Sequence, residues 1–147
     1  MSFLDMLNIS GNGMTAQRLR LDVVANNISN IETTRTEDGE PYRRRMVVLE
    51  EKNASFKKIM EDVMSYGSAA IGEGARVSEI IEDETELKLV YDPTHPDADE
   101  NGYVHMPNVD LVKETADAMA ATHAYQANIT AFNTTKLMAQ KALEIGK

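Results

Sequence analysis

Hydrophobic residues repeat every seven positions near the N-terminus, a pattern that predicts one long helix over residues 1–31. The repeat, with its extension at a spacing of three, consists of Leu7, Met14, Leu21, Val24, Ile28 and Ile31. Gly11 and Gly13 lower the helix propensity near the start, so we expect a kink or break there. Asn30 is of a residue type that ends helices, which places the C-terminal boundary close to residue 31.

A second helical pattern covers residues 111–145, which contain neither glycine nor proline. Steps of three or four residues bring mostly apolar side chains onto one face of this segment. Nine alanines within residues 116–142 favour the helix and allow another helix to approach closely. Asn108 or Asp110 can cap its first turn. We therefore expect a second, uninterrupted amphipathic helix.

The region between the two helices has shorter and mixed patterns. We expect strands at 43–50, 77–81 and 87–91, a short helix at 56–64, a flexible connection at 65–74 and an extended segment around Pro93, Pro96 and Pro107. The predicted fold class is mainly α, with long helices at both ends and a small β-containing middle. This arrangement suits a subunit whose terminal helices pack on other copies better than it suits an enzyme.

The charge is concentrated between the helices. The 147 residues include 15 basic and 24 acidic side chains, for a net charge of −9. Residues 1–31 are neutral overall and residues 111–147 carry +1, so residues 32–110 hold −10. Such a protein lacks the basic surface that nucleic-acid binding requires. Nearly neutral helices, by contrast, can pack against other chains without strong repulsion.

The composition excludes several kinds of site. The chain has no cysteine, which excludes disulfides and thiolate metal sites. No segment approaches the roughly 18 apolar residues of a membrane span, so we expect no membrane insertion. The first residues lack a basic region followed by an apolar one, so we expect no cleavable signal peptide. No catalytic constellation occurs, and we expect neither an enzyme nor a cofactor.

Residues 97–102 match the first half of a calcium-binding loop, D-x-D-x-N-G. The twelfth position, where such a loop needs a bidentate glutamate, is Asn108. Prolines at 96 and 107 replace the flanking helices. The simpler interpretation is an Asp/Asn/Gly turn between extended segments. The motif still leaves an alternative function open, a calcium-regulated helical binding module that uses residues 97–108.

Three consecutive arginines at 43–45 form a basic cluster inside the acidic middle. We expect them to pair within the chain, with Glu50, Glu51 or the acidic residues of 82–86, rather than to bind an anion. The predicted helices also carry asparagines that can hydrogen-bond between packed helices and so fix their register. These are Asn8, Asn27, Asn128 and Asn133.

Short motifs stand at both ends of the chain and in its interior. The terminal ones are GNGMTAQR at 11–18, NNISN at 26–30, TT at 33–34, NVD at 108–110, YQAN at 125–128 and TKLM at 135–138. Together they resemble the terminal signatures of the bacterial flagellar axial proteins, the family of rod and hook subunits. The interior motifs are similar to those of the proximal rod proteins within this family. They are GEPYRR at 39–44, YDPTHPDAD at 91–99 and GYV at 102–104.

The resemblance implies a structural subunit of the bacterial flagellar rod, the drive shaft that crosses the periplasm in the basal body and transmits motor torque to the hook. It implies helical polymerisation with other copies and other rod proteins, after export by the flagellar type III apparatus. In this family the terminal helices pair as an antiparallel coiled coil. We therefore expect residues 1–31 plus 108–147 to form a coiled-coil assembly domain, and residues 32–107 to form an outward-facing acidic middle.

The predicted assembly interface takes its residues from both terminal helices, because an amphipathic helix is stabilised mainly by packing of its apolar face. It consists of Leu7, Met14, Leu21, Val24, Ile28, Ile31, Ala118, Tyr125, Asn128, Ile129, Phe132 and Leu143. We expect Tyr125, Ile129 and Phe132 to pack against the N-terminal helix.

Overall fold

Two long helices lie at the ends of the described sequence, with four short strands between them. The computed structural model describes residues 3–52, 60 and 74–145. In chain order the elements are α1 (Phe3–Ser29), β1 (Arg45–Glu51), β2 (Ala75–Glu82), β3 (Lys88–Tyr91), β4 (Tyr103–Met106) and α2 (Leu111–Ile145). This order confirms the predicted mainly α fold with a small β-containing middle. Within these ranges, no helical stretch combines the length and the apolarity of a membrane span.

Helix α1 is continuous, so the break expected at Gly11 and Gly13 is wrong. A glycine inside a helix costs about 1 kcal/mol relative to alanine, which a helix of 27 residues absorbs. Gly13 has a packing role: a Cβ added there would lie 2.8 Å from Oδ1 of Asn128 on α2. The helix ends where Asn30 folds back, its Nδ2 donating to the main-chain oxygen of Asn26 at 2.9 Å.

Helix α2 matches its prediction closely, and Asp110 rather than Asn108 caps it. Oδ1 of Asp110 accepts hydrogen bonds from the main-chain N–H groups of Val112 at 2.9 Å and Lys113 at 3.4 Å. These bonds, first from Lys113 and then from Val112, hold the pKa of Asp110 below its ordinary value. Asn108 is left for a different task, described below.

The four strands form two separate two-stranded sheets, β1 with β2 and β3 with β4. The predicted strands correspond to β1, β2 and β3, whereas β4 was missed inside the proline-punctuated segment. In the antiparallel β3–β4 pair Leu89 faces His105 and Tyr91 faces Tyr103. The rings of Tyr91 and Tyr103 meet edge to face with centroids 5.3 Å apart. Val104, buried between exposed neighbours, was the available signal for β4.

Contacts group the chain into two compact units. The first unit comprises the described parts of 1–18, 49–78 and 122–147, and its buried side chains include Ala16 and Thr135. The second unit comprises 19–48 and 79–121. Its buried side chains are Val23, Val24, Asn27, Tyr42, Arg44, Val104, Pro107, Val109, Glu114 and Ala121. The predicted division into a terminal assembly domain and a middle concerns the assembled state and stays a prediction.

Two predictions for the middle fall outside the described residues. They are the short helix at 56–64, of which Met60 alone is described and is helical, and the flexible connection at 65–74, of which Gly74 alone is described. Gly74 adopts φ of +93°, and a Cβ there would lie 3.2 Å from Cα of Ile9 in the same unit. A glycine is therefore required at this close approach.

Candidate assembly interface

A buried carboxylate joins three segments of the second unit. The side chain of Glu114, in the first turn of α2, is 0% exposed. Its Oε1 accepts a hydrogen bond from Nε of Arg44 at 2.6 Å, and its Oε2 accepts one from Nδ2 of Asn27 at 3.0 Å. Asn27 lies on α1 and Arg44 directly precedes β1. Because a buried charge is tolerated only when it is paired and hydrogen-bonded, each of the three segments depends on the others here.

Asn27 uses the whole hydrogen-bonding capacity of its amide group. Its Nδ2 donates to the main-chain oxygen of Arg45 at 2.9 Å as well as to Glu114, and its Oδ1 accepts from the main-chain N–H of Arg45 at 2.9 Å. The hydroxyl of Tyr42 donates to the same Oδ1 at 2.9 Å. Two donors and two acceptor sites are thus all occupied. Burial raises the pKa of Tyr42, which keeps its phenol a donor.

Arg44 is the cationic centre of the cluster, with a side chain that is 8% exposed. Besides Glu114, its guanidinium meets Asp83 at 3.7 Å and Asp117 at 3.3 Å. Asp117 also accepts from Nη2 of Arg20 on α1 at 3.0 Å. One arginine therefore neutralises carboxylates from α2 and from the segment that follows β2.

The prediction that the arginines at 43–45 pair within the chain, with Glu50, Glu51 or the acidic residues of 82–86, is confirmed for Arg44 and Arg45. Arg44 meets Asp83, and Arg45 meets Glu82 at 3.2 Å. Glu50 pairs instead with Arg76, at 3.3 Å. The shorter contact of Arg44 with Glu114 on α2 was not predicted.

Asn108 holds the segment before β1 against the segment after β2. Its Oδ1 accepts from the main-chain N–H of Arg44 at 2.8 Å, and its Nδ2 donates to the main-chain oxygen of Asp83 at 3.0 Å. Nδ2 also donates to Oγ1 of Thr85 at 2.9 Å. The same residue occupies the twelfth position of the calcium-like segment. Both polar atoms of its side chain are engaged in these contacts, outside that loop.

The carboxylates of the calcium-like segment make the contacts of a turn. Oδ2 of Asp97 accepts from Oγ1 of Thr34 at 2.8 Å. Oδ1 of Asp99 accepts from the main-chain N–H groups of Asn101 and Tyr103, each at 2.9 Å. Across residues 3–52, 60 and 74–145, no group of three or more His, Asp or Glu side chains is placed to hold a metal ion. Nothing in this geometry favours the calcium-regulated alternative.

Three residues of α1, spaced by seven, face α2. Gly13, Arg20 and Asn27 lie on α1, and in the second unit Asn27 meets Glu114 while Arg20 meets Asp117. Within the first unit, Gly13 is the residue that makes room for the side chain of Asn128. As the residue number on α1 increases from 13 to 27, the number of the contacted residue on α2 decreases from 128 to 114. This order is typical of antiparallel helices.

The predicted interface residues differ in their burial. Val24 is buried and Ile129 is 36% exposed. The half-buried residues are Leu7, Met14, Leu21, Ile28, Ile31, Ala118, Tyr125, Asn128 and Phe132. Leu143 is 75% exposed. Among them, Asn128 is brought against α1 at Gly13. Their membership of an interface between subunits stays a prediction.

Arg44 and Glu114 were not predicted as site residues, because the predicted interface follows mainly the apolar positions along the helices. Asn27 was expected to hydrogen-bond between helices but was not part of the predicted interface. The available signal was a second seven-residue series on α2, in which each member is buried or half-buried. Its members are Glu114, Ala121, Asn128 and Thr135. A charged residue in line with buried alanine and threonine is the mark of a polar position in a helix-packing seam.

A run of α2 near its end leaves large apolar side chains uncovered. Leu137 is 58% exposed, and Met138 and Ile145 are also exposed. Closer to the start of the helix, Val112 and Met119 are exposed as well. Large apolar side chains that are exposed next to each other, as Leu137 and Met138 are, favour contact with other proteins.

Two family profiles match the chain. The one described as "Flagella basal body rod protein" matches residues 7–35, and the one described as "Flagellar basal body rod FlgEFG protein C-terminal" matches residues 100–145. These ranges cover much of α1 and all of α2, the two elements that meet in the buried cluster.

Curated relatives match the chain along its full length. A protein of Bacillus subtilis (strain 168) is 51% identical, with 100% of each sequence covered. One of Borreliella burgdorferi is 44% identical, covering 99% of this chain and 98% of the relative. One of Escherichia coli O157:H7 is 40% identical, with 100% of each covered. Each of the three is named "Flagellar basal-body rod protein FlgC".

Proposed function

Because the chain belongs to the FlgC family of flagellar basal-body rod proteins, it is a structural subunit of the flagellar rod, and we propose that its two terminal helices drive its helical assembly. Its place is the basal body, its partners are other rod components, and it is not an enzyme. In the proposal, α1 and α2 pair within each subunit as an antiparallel coiled coil. Packed side by side in a tube, these pairs carry the torque of the motor to the hook.

The observation that carries the proposal is the uncovered apolar surface of α2. Leu137, Met138 and Leu143 are more than half exposed in the isolated chain. Burying apolar surface contributes about 25 cal/mol per Å², so these side chains favour contact with another subunit. The nearly neutral charge of residues 1–31 and 111–147 removes an obstacle to that contact.

Two further elements of the proposal concern partners and location. The neighbours in the tube include other copies of this chain as well as other rod proteins. The subunit is made in the cytoplasm and leaves through the flagellar type III export apparatus, without removal of a leader. Mass spectrometry of the N-terminal peptide in isolated basal bodies, compared between an export-competent strain and one lacking the apparatus, tests this route. Absence of the intact N-terminus from basal bodies contradicts it.

The assembly surface is tested with two aspartates on the same helix. Leu137→Asp places a charge in the exposed apolar surface, and Gln140→Asp places the same charge at an exposed polar position one turn away. Because Leu137 is already exposed, neither change should unfold the subunit. We expect Leu137→Asp to block rod completion and motility, and Gln140→Asp to leave both unchanged.

Electron microscopy of basal bodies and a motility assay give the readout, at protein levels matched by immunoblot. Circular dichroism of the purified variants verifies that the helix content is equal. Complete rods in the Leu137→Asp strain, or an equal defect in both strains, would contradict the proposal.

A further inference from the structure

We propose that the buried cluster of Glu114, Arg44 and Asn27 selects the register in which α1 and α2 pair. The inference rests on the proposed pairing of the helices and adds the residues that choose among its possible alignments. The cluster positions the helices, because a shifted alignment leaves a buried charge without its partner and is therefore less stable.

The apolar contacts of α2 discriminate poorly between alignments. The helix contains nine alanines within residues 116–142. A slip of three residues toward the C-terminal end of α2 replaces the buried Ala121 by Ala124 and puts Ala131 in the place of Asn128 beside Gly13, so small residues again meet α1. Helix packing that depends on such small residues tolerates displacement by a turn, because the surface that is lost is replaced by a similar one.

The cluster does discriminate. One helical turn is about 5.4 Å, whereas Glu114 holds Arg44 and Asn27 through bonds of 2.6 Å and 3.0 Å. A slip by one turn therefore breaks both bonds of Glu114 at once, and a slip of three residues puts in its place Asp117, whose side chain is one methylene shorter. Asn27 would also lose its partner on α2, and the carboxylate would be left in a site that excludes water. Unpaired charges of this kind are far more costly than an exchange of alanines.

Arg44 does not follow a slipping helix, because its main chain is held independently of α2. Its carbonyl oxygen accepts from the main-chain N–H of Asp83 at 2.8 Å, in the segment that follows β2. The adjoining Arg45 is held by Asn27 through both main-chain groups. The guanidinium of Arg44 therefore stays in place, and the observed alignment of α2 brings Glu114 into contact with it.

The same unit contains a matched exposed ion pair. Arg45 and Glu82 meet at 3.2 Å with side chains that are 48% and 52% exposed. This pair has the chemistry of Arg44 and Glu114 but remains solvated, so its loss leaves no buried charge. Changing it tests whether an effect arises from burial or from the removal of any arginine–glutamate pair.

Disulfide cross-linking measures the register of α1 against α2. The chain has no cysteine of its own, so only the introduced cysteines can form a cross-link. A Cβ at position 13 would lie 3.0 Å from Cγ of Asn128, and this is about the separation of Cβ and the far sulfur in a disulfide. Gly13→Cys with Asn128→Cys therefore reports the observed alignment. Gly13→Cys combined with Ala124→Cys or with Ala131→Cys reports a slip by one turn in either direction.

The three cysteine pairs are oxidised in the purified full chain, in the otherwise unchanged protein and in the variants. In the unchanged protein we expect only the 13–128 cross-link. In the double variant Arg44→Met/Glu114→Leu, which replaces the ion pair by apolar groups of similar size, we expect the 13–128 yield to fall at least twofold. A slipped cross-link should appear in compensation. Arg45→Met/Glu82→Leu should give the unchanged pattern.

Each outcome decides a specific point. A folded Arg44→Met/Glu114→Leu variant that forms only the 13–128 cross-link overturns the inference, because alignment then survives without the cluster. If that variant loses its helix content, Glu114→Gln is used, and a single 13–128 cross-link there overturns the inference equally. If the unchanged protein forms no 13–128 cross-link, the proposed helix pairing fails, and the inference fails with it.

Discussion

The carboxylate of Glu114 and the guanidinium of Arg44 form a 2.6 Å contact in which neither side chain is more than 8% exposed. The two residues are separated by most of the middle region in sequence. Replacing a buried ion pair by apolar residues is often neutral or even stabilising, so its value to the protein is not stability alone. Breaking it from one side is costly, and the predictions below rely on that asymmetry.

Asn27→Ala should lower the free energy of unfolding by about 3 kcal/mol, because it leaves Glu114 and the main chain of Arg45 with unsatisfied buried groups. Urea denaturation measures the change. Arg20→Ala is the matched control: Arg20 and Asp117 are about one-third exposed, and Asp117 keeps Arg44 as a partner. We expect a loss below about 0.5 kcal/mol for the control. Equal losses in the two variants would contradict the role of Asn27.

Tyr42→Phe should cost about 1 kcal/mol at neutral pH, since it removes one of the two bonds to Oδ1 of Asn27. Burial raises the pKa of Tyr42, so the folded state favours the neutral phenol. This contribution is present below the unfolded pKa of about 10 and is lost as pH rises through the higher folded pKa. Unfolding at several alkaline pH values should show a steeper loss in the unchanged protein than in Tyr42→Phe. If the free energy of unfolding falls equally with pH in the two proteins, the predicted contribution of Tyr42 is contradicted.

Asp83→Asn should make the protein less sensitive to acid. The main-chain N–H of Thr85, followed by its hydroxyl and the charge of Arg44, holds the pKa of Asp83 below its ordinary value. Its contribution is therefore present above the unfolded pKa of about 3.9 and is lost as pH falls through the folded pKa. The stability difference between the unchanged protein and Asp83→Asn should shrink below about pH 4. Glu84→Gln changes an exposed neighbour and is the control. Its stability difference from the unchanged protein should not shrink comparably as pH falls.

Gly11→Ala and Gly13→Ala should differ although both lie in α1. A Cβ at Gly11 meets nothing within 4 Å, so Gly11→Ala should stabilise by about 0.5–1 kcal/mol through reduced backbone entropy of the unfolded chain. A Cβ at Gly13 meets Oδ1 of Asn128 at 2.8 Å, which should cancel that gain. The double variant Gly13→Ala/Asn128→Ala should recover it. Thermal unfolding of the set tests the close approach, and equal gains at both glycines would refute it.

Ile129→Asp should block rod completion and motility while leaving synthesis of the protein intact. Ile129 is 36% exposed, and the proposed assembly covers it, so the aspartate would have to be desolvated without a partner in every subunit. Glu79→Ala, at an exposed position in β2, is expected to be nearly silent. Motility and basal-body microscopy at matched protein levels give the comparison. Normal swimming with Ile129→Asp and impaired swimming with Glu79→Ala would show that assembly does not depend on the terminal helices.

The two helices could be predicted because their signals are local. The absence of glycine and proline in 111–145 and the cap at Asp110 fix α2 almost to the residue. The positions of β1, β2 and β3 could also be predicted from local patterns. Which strand pairs with which could not. β2 pairs with β1 across residues 53–73, and no periodicity in the sequence encodes that choice.

The buried cluster was harder to predict than the helices. A glutamate in the first turn of a helix is ordinarily explained by the helix dipole, so Glu114 gave no reason to expect complete burial. Arg44 was correctly assigned an intramolecular partner among residues 82–86, yet its contact with α2 depends on the tertiary fold. Asparagines on the helices were expected to fix register, and Asn27 alone among them was found at the centre of such a contact in the second unit.

The pairing of the Asn27 amide with the main chain of Arg45 also has a consequence for the edge of β1. In an antiparallel strand the N–H and C=O of one residue point to the same side, and those of Arg45 point away from β2 toward Asn27. Open strand edges recruit strands from other molecules and so promote irregular aggregation. A side chain occupies the first position of this edge, and a foreign strand has no place there to begin pairing. This position of the edge is therefore unavailable for sheet formation between subunits, which would compete with ordered polymerisation.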